Sequence, residues 1–405
     1  MNYSRVEQSH KAEQVTEQKQ VLSKLLTLIF AIASGLAVST IYFAQPLLET
    51  IADEFNLAHS SMGMIITITQ VCYAVGLFLL VPLGDLLNRR QLAIGMMLLS
   101  MFGLLTVALA QSSLMMLAGM AMTGLFAVVV QVFVAYAAVL ASPSERGRVL
   151  GMVTSGIVLG ILLARTFAGI LTDLAGWRSV YGVAAGSMLL AAFILFRLLP
   201  RNHVHAGARL SYLKLLQSVI QLFIEVRVLR IRAVLAFLIF MAFSVLWTSL
   251  VLPLSAPPYE LSHTLIGAFG LTGVAGALAA ARAGRWADSG FGQRTTGISL
   301  SILFGSWLPI AFTERSLWAL IVGVIALDFA VQAVHVTSQS MILSVRPESR
   351  SRLTAGYMIF YSAGSATGSI AATALYAHGG WIAVCLLGSS ISGFALLFWF
   401  FTKKF

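Results

Sequence analysis

Charge is what this chain has least of. Only 10% of its 405 residues are Asp, Glu, Lys or Arg and 59% are hydrophobic, whereas soluble domains carry about 25% charged and about 45–50% apolar residues. That deficit excludes a water-exposed globular protein and predicts a polytopic membrane protein. Cysteine is nearly missing as well. Cys72 and Cys385 stand far apart in apolar runs, which leaves packing as their role rather than a disulfide framework or a metal site. No P-loop, metal-ligand cluster or nucleophile–base motif occurs, so neither catalysis nor ATP-driven work is expected, and no cofactor. A signal peptide is also not evident: polar residues up to about position 23 come before the first apolar run, and no short apolar region with a small-residue cleavage site precedes them.

What fills the chain instead is apolar length. Crossing a ~30 Å hydrocarbon core takes about 20 residues. Twelve such runs can be read, at 25–48, 61–83, 92–110, 114–141, 150–173, 179–199, 232–253, 264–284, 295–313, 317–342, 353–377 and 381–402. This predicts an all-α membrane fold. With the N-terminus in the cytoplasm, the even-numbered connections, the span ends that border them and the two tails carry 23 of the 26 Lys and Arg residues. Arg178 and Arg315 fall outside, and Arg165 falls within a span. Such a bias explains the net charge of +11 and the pI near 10.0 as topology, with no nucleic-acid partner required.

The basic stretch at 200–231 separates a first six-helix bundle, 25–199, from a second, 232–405, after a cytoplasmic tail at 1–24. Within it, "SYLKLLQSVIQLFIEVRVLRIR" places apolar residues at helical spacing with cations toward its end. An amphipathic helix on the cytoplasmic membrane face is expected there, with a plain linker as the alternative.

The two bundles echo one another. "SPSERGRVLG" and "RPESRSRLTAG" superpose at an offset of 204 residues, matching Pro143 with Pro347, Arg146 with Arg350 and Arg148 with Arg352. At the same offset Gly160 answers Gly364, and Gly176-Trp177 answers Gly380-Trp381. "VPLGDLLNRR" and "GRWADSGFGQR" form a second echo, Asp85 against Asp288. Repeats at corresponding loops of two membrane halves are expected of a transporter built by duplication, with its site where the halves meet.

Inside the run "ALIVGVIALDFAVQAVHVTSQSMILSV", Asp328, Gln332, His335 and Gln339 follow at steps of four, three and four. At 100° per residue they fall within about 60° of arc on one helix face and extend about 16 Å along it. An ionisable residue in lipid costs about 2.5–3.5 kcal/mol on insertion scales, so this stripe reads first as a cavity wall and second as interhelical glue.

Twelve spans, a 6+6 repeat and an acid-plus-basic loop after spans two and eight resemble the major facilitator superfamily. The loop follows a family pattern G-x-x-x-D-R/K-x-G-R-R/K. Its first copy keeps Asp85, Arg89 and Arg90, with Val81, Leu86 and Asn88 as departures; its second keeps Gly284 and Asp288, with Gly292 and Arg294 each one place later than the pattern's glycine and final cation. "IYFAQPLLETIA", "ARTFAGILTDLAGWRSVY" and the span-ten run resemble a bacterial branch grouped with proton-coupled drug and sugar efflux carriers.

That resemblance implies a cavity lined by spans one, four, seven and ten. Asp328, Gln332, His335, Gln339, Gln131, Tyr42, Gln45, Trp247 and Thr248 would belong to it, with Arg165 of span five. A cytoplasmic gate would comprise Asp85, Arg89, Arg90, Asp288, Arg294, Arg146 and Arg350. The family's carriers imply a small-molecule substrate, protons as the energy source, a monomer, and the bacterial inner membrane with both termini cytoplasmic. Other departures keep alternatives open. Met120 stands where an arginine usually precedes Gly124, Ile161 replaces the proline of the span-five pattern after Gly156 and Gly160, and Arg282 replaces an apolar residue. A uniporter or symporter of a sugar or other metabolite, or a transport-impaired relative, is therefore the alternative to an exporter.

Arg165 and Asp328 are the Arg and the Asp placed deepest. At 1.5 Å per residue they lie about 22 Å and about 16 Å from opposite faces of the core. A direct ion pair across the cavity is expected, since each charge alone would be costly there.

Overall fold

A computed structural model describes residues 24–142, 145–199, 211–346 and 349–404, and these form helices joined by short turns. Long apolar runs become helices because a helix pairs its own backbone groups where lipid offers no partner. Helix α1 (Lys24–Ser39) is followed by a 3-10 turn at Gln45–Leu47 and the short α2 (Leu48–Glu54). Then come α3 (Gly63–Leu79), α4 (Arg89–Ala108), α5 (Ser113–Ala127), α6 (Val129–Leu140), α7 (Arg146–Ala175) and α8 (Trp177–Leu198). After α9 (Tyr212–Glu225) follow α10 (Arg227–Ser249), α11 (Val251–Ser255), α12 (His263–Ala268), α13 (Gly273–Trp286), α14 (Gly292–Ala311), α15 (Leu317–Leu343) and α16 (Arg350–Thr402).

Polar side chains set several helix starts: Asn88 accepts from Arg90 N, Ser112 from Met115 N, Ser262 from Leu265 N and Ser316 from Ala319 N. Both glycines of the Gly-Trp echo take positive φ, 79° at Gly176 and 61° at Gly380, a conformation a side chain would strain. The indoles that follow are then pinned. Trp177 Nε1 donates to Glu54 Oε2 at 2.6 Å, and Trp381 Nε1 to Ile310 O at 3.0 Å.

Eight helices among the described residues are long and apolar enough to cross a membrane by length and composition, where the sequence counts twelve runs. Each difference has a local cause. The first run is not one helix: α1 stops at Ser39, and Pro46, which has no N–H to donate, sits in the 3-10 turn that follows. The eighth is interrupted at Phe269–Thr272, leaving α13 only 14 residues. In the ninth, α14 reaches 20 residues but opens with Gln293, Arg294, Thr295 and Thr296. The last two runs join as α16, bent at Gly380.

Glycines let backbones touch along several seams, three of which bear on the site. A Cβ at Gly156 or Gly160 of α7 would strike the backbone of α1 at Ala31 or Gly35. Gly364 and Gly368 of α16 meet Phe237 O and Met241 O of α10 in the same way. The third seam joins N-terminal to C-terminal helices: Gly63 of α3 lies against Ser369 O of α16, and Gly267 of α12 against Arg165 O of α7. Partner for partner, these two contacts differ by the offset of 204 seen in the repeated motifs.

Hydrogen bonds reinforce that seam. Thr67 donates to Ala366 O at 2.9 Å and Thr166 to Gly267 O at 3.0 Å. Asp173 receives Thr264 N at 2.8 Å and lies 2.8 Å from His263 Nδ1, whose Nε2 is 2.7 Å from the Thr50 hydroxyl. All of these sit at the end of the bundle away from the arginine-rich loops. At the arginine-rich end α9 acts as a strap: Tyr212 donates to Leu79 O at 2.7 Å, and Arg346 pairs with Glu225 at 2.6 Å. Leu215, Val219 and Leu222 of α9 are buried while Leu213, Ile220 and Ile224 are exposed, the amphipathic pattern its spacing predicts.

Candidate functional site

Toward the end of the bundle away from the arginine-rich loops lies a buried chain of polar contacts. Gln45, just past the break after α1, accepts a hydrogen bond from Arg165 Nε at 2.6 Å. The Arg165 guanidinium lies 3.7 Å from the ring centre of Trp247 on α10, with the rings of Tyr42 and Phe243 at 5.1 and 5.6 Å. Aromatic faces attract a cation, and more so when both are out of water. Trp247 Nε1 donates to Asp328 Oδ1 at 3.1 Å, and the Thr272 hydroxyl, whose nearer acceptor is Phe269 O at 2.6 Å, lies 3.4 Å from Asp328 Oδ2. Both charged residues are buried, Arg165 at 3% and Asp328 at 4% exposure.

The expected direct ion pair therefore does not form. Arg165 turns to Gln45, and the Trp247 indole stands between the two charges, binding one by its face and the other by its edge. Arg165 Nη2 is left without a hydrogen-bond partner. Beside it is a void of about 10 Å³ lined by Gln45, Arg165, Trp247 and Val251, about the space one water occupies.

The remaining stripe residues of α15 are half-buried and disperse among neighbours. His335 Nδ1 lies 3.1 Å from the Tyr357 hydroxyl, and its ring meets Phe240 edge-on at 5.2 Å. Gln339 reaches the Met358 sulfur at 4.0 Å. Gln332 packs beside Gly276, where a Cβ would come within 3.0 Å of its Cγ. On the other side Tyr42 pairs with the Tyr361 hydroxyl, and Gln131 of α6 lies against the Tyr73 hydroxyl. Thr248 goes elsewhere: fully buried, it bonds Ser369 at 3.0 Å within the α10–α16 seam.

Of the expected gate, Arg89 Nε donates to Gly84 O at 2.8 Å, and Arg90 donates to Phe196 O at 2.5 Å while covering the Phe196 ring. Arg294 lies over the Phe291 ring at 5.9 Å. The side chains of Asp85, Asp288, Arg146 and Arg350 lie outside the described residues, as do Pro143, Pro347, the tail to residue 23 and the stretch 200–210.

Sequence reading missed Tyr361, Tyr357, Phe243, Phe240 and Thr272. Two of these were within reach: Tyr357 and Tyr361 stand four apart in an apolar run, so they share a helix face just as the span-ten stripe does. The Asp173–His263 contact had no local signal, because its partners are 90 residues apart.

The sequence profile of the Major Facilitator Superfamily matches residues 27–289 and 232–405. The "Uncharacterized transporter YgaY" of Escherichia coli O157:H7 is 49% identical over 95% of this chain and 97% of its own. A "Probable sugar efflux transporter" of Helicobacter acinonychis is 22% identical over 95% of this chain and 97% of its own. Among solved structures, a bacterial homolog to the human lysosomal transporter Spinster, in an inward-facing and unoccupied conformation, superposes with a TM-score of 0.77. That structure is 15% identical and aligns over 94% of this chain and 98% of its own, which speaks to fold. A family match along nearly the whole length, and a relative alike from end to end, identify the protein: the chain belongs to the Major Facilitator Superfamily, as a multi-pass membrane transporter that moves a small molecule by secondary active transport.

Proposed function

We propose that this transporter exports a small organic molecule in exchange for protons, by alternating access between two six-helix halves, 25–199 and 232–405. In this reading the chain crosses the inner membrane of a bacterium twelve times, acts as a monomer, and keeps both termini and the 200–231 linker in the cytoplasm. The paired contacts Gly63–Ser369 and Gly267–Arg165, each residue 204 positions from its counterpart, support the two-fold repeat. Their position opposite the arginine-rich loops supports a state sealed toward the outside, because those loops belong in the cytoplasm under the positive-inside bias.

One observation carries the coupling. Asp328 is a buried acid whose contacts come from α10 and from the Thr272 turn, and through Trp247 it touches a cation of the first half. Protonating it removes a charge from the chain of contacts that links Arg165 to α15 through Trp247. A change of that kind can shift a two-state equilibrium because it alters one state's contacts and not the other's. Efflux as the direction draws on the printed name of the Helicobacter acinonychis relative. A uniport or symport reading has one observation behind it, the buried Met120 in place of the span-four arginine. Purified protein in liposomes under an imposed pH gradient tests the proposal against a substrate panel. Asp328→Asn should keep substrate binding and lose proton-driven accumulation; full pH-driven transport in that variant would rule the coupling role out.

A further inference from the structure

On the flank of the bundle turned away from Arg165, α1, α7 and α8 enclose a cavity of about 400 Å³. It has the proportions of a slot. Along α7 it runs from Met152 to Phe167, about 22 Å at 1.5 Å per residue, so the volume is spread over a long, narrow course. The floor is where α1 and α7 touch through Gly35, Gly156 and Gly160. Two of its three lining hydroxyls are engaged with backbone: Ser39 Oγ lies 2.7 Å from Gly35 O and 2.9 Å from Gly160 O, and Ser155 donates to Gly151 O at 2.9 Å; the third is Ser187 of α8. An occupant would therefore find hydrocarbon walls and little to hydrogen-bond. At the far end, Phe43 and Phe167 stand with ring centres 6.0 Å apart and close the course. Leu28, Ile32, Leu159 and Leu163 on its rim are exposed, so the slot opens on the face that meets lipid.

The near end differs in kind. Lys24 precedes Leu28 by four residues on α1, and Arg148 precedes Met152 by four on α7. Residues four apart share a helix face, so both cations stand one turn beyond the slot on the two helices that form it. The register brings them together. Ala31 lies against Gly156 and Gly35 against Gly160; continuing that parallel pairing back one to two turns sets Lys24 beside Val149, next to Arg148. Both cationic residues are exposed. A narrow alkyl course capped at one end by two cations is complementary to one class of molecule.

We propose that this slot binds a phospholipid, one acyl chain lying between α1 and α7 and the phosphate held by Lys24 and Arg148. Apolar walls let an acyl chain replace bulk lipid there at no cost, and cations near a membrane surface add electrostatic attraction for anionic headgroups. The chain's terminus would rest against Phe43 and Phe167, one residue from Tyr42 and two from Arg165 in sequence but on the opposite side of the α1–α7 wall. A lipid seated there braces the contact between these two helices without entering the central site.

Native mass spectrometry of the full chain in detergent tests this directly, with phosphatidylglycerol as the probe and uncharged diacylglycerol as the comparison. Wild-type protein should retain one phosphatidylglycerol under activation that strips other lipid, and should not retain diacylglycerol. Lys24→Gln with Arg148→Gln should weaken phosphatidylglycerol retention about thirtyfold, as expected for two cations near the headgroup. Ser155→Trp, which fills the slot, should abolish it while the thermal melting of the protein in detergent stays cooperative. Wild-type protein that retains no phosphatidylglycerol, or retains diacylglycerol equally, overturns the proposal. Undiminished retention in the Lys24→Gln, Arg148→Gln protein does the same, whether or not the tryptophan variant folds. None of these outcomes depends on proton coupling or on the transported substrate.

Discussion

Trp247 holds both deep charges at once, its ring face 3.7 Å from the Arg165 guanidinium and its Nε1 donating to Asp328 at 3.1 Å. The indole is thus a spacer as well as a link. It keeps the cation and the acid apart while each retains a partner.

Trp247→Phe separates these two jobs, because phenylalanine keeps an aromatic face and loses the N–H. A hydrogen bond to a charged group is worth about 1.5–3 kcal/mol, so a stability loss of about 2 kcal/mol is expected, seen as a lower melting temperature in detergent. Proton-driven transport should fall further than substrate binding. Equal losses in both would reduce Trp247 to a packing residue.

Gly267 lies against Arg165 O, and the space allows no side chain. Gly267→Ala should wedge α12 from α7 and bias the protein toward opening at the sealed end. The reporter is Val251→Cys in a background without Cys72 and Cys385, since Val251 is buried beside Arg165. Labelling by a membrane-impermeant maleimide added from outside should rise in the alanine variant, and Gly63→Ala should act alike. Unchanged labelling in both would show that the seam yields without opening.

Glu54 gives a pH dependence outside the membrane-spanning helices. The hydrogen bond from Trp177 first, and Arg178 after it, hold the Glu54 carboxyl below its ordinary pKa of 4.5. A depressed carboxylate adds stability above the unfolded value and loses it as pH falls through the lowered one. Its effect is therefore full at pH 7 and fades below about pH 4.5. Solvent screens this half-exposed pair, so the contribution is small. Thermal melts of Glu54→Gln against wild type should differ at pH 7 and converge as pH drops below that point; a gap that widens with acid would refute the assignment.

Topology has a simple test. Reporter fusions active only outside the cytoplasm should be silent at Lys214 and Lys404 and active at Ser262. Activity at Lys214 would overturn the arrangement of two six-helix halves.

Much of this architecture was legible before any coordinates. Apolar length determines where helices occur, because backbone groups in lipid must pair within their own segment. The Gly-Trp echo marks two positions that take positive φ in the fold, where glycine alone avoids strain. The scarcity of charge made Arg165 and Asp328 stand out as the residues to explain. What helical periodicity cannot state is which neighbour a face will meet. It grouped Asp328, Gln332, His335 and Gln339 on one stripe, yet Trp247, Gly276, Tyr357 and Met358 come to them from three different helices. The family resemblance set Thr248 beside Trp247 as a cavity residue, and packing turned that hydroxyl to Ser369 in a helix seam. Helical rise brought Arg165 and Asp328 to similar depth, but a third side chain decided their relation. An indole can satisfy a cation with its face and an acid with its edge, and only the crossing of α7, α10 and α15 puts one between them.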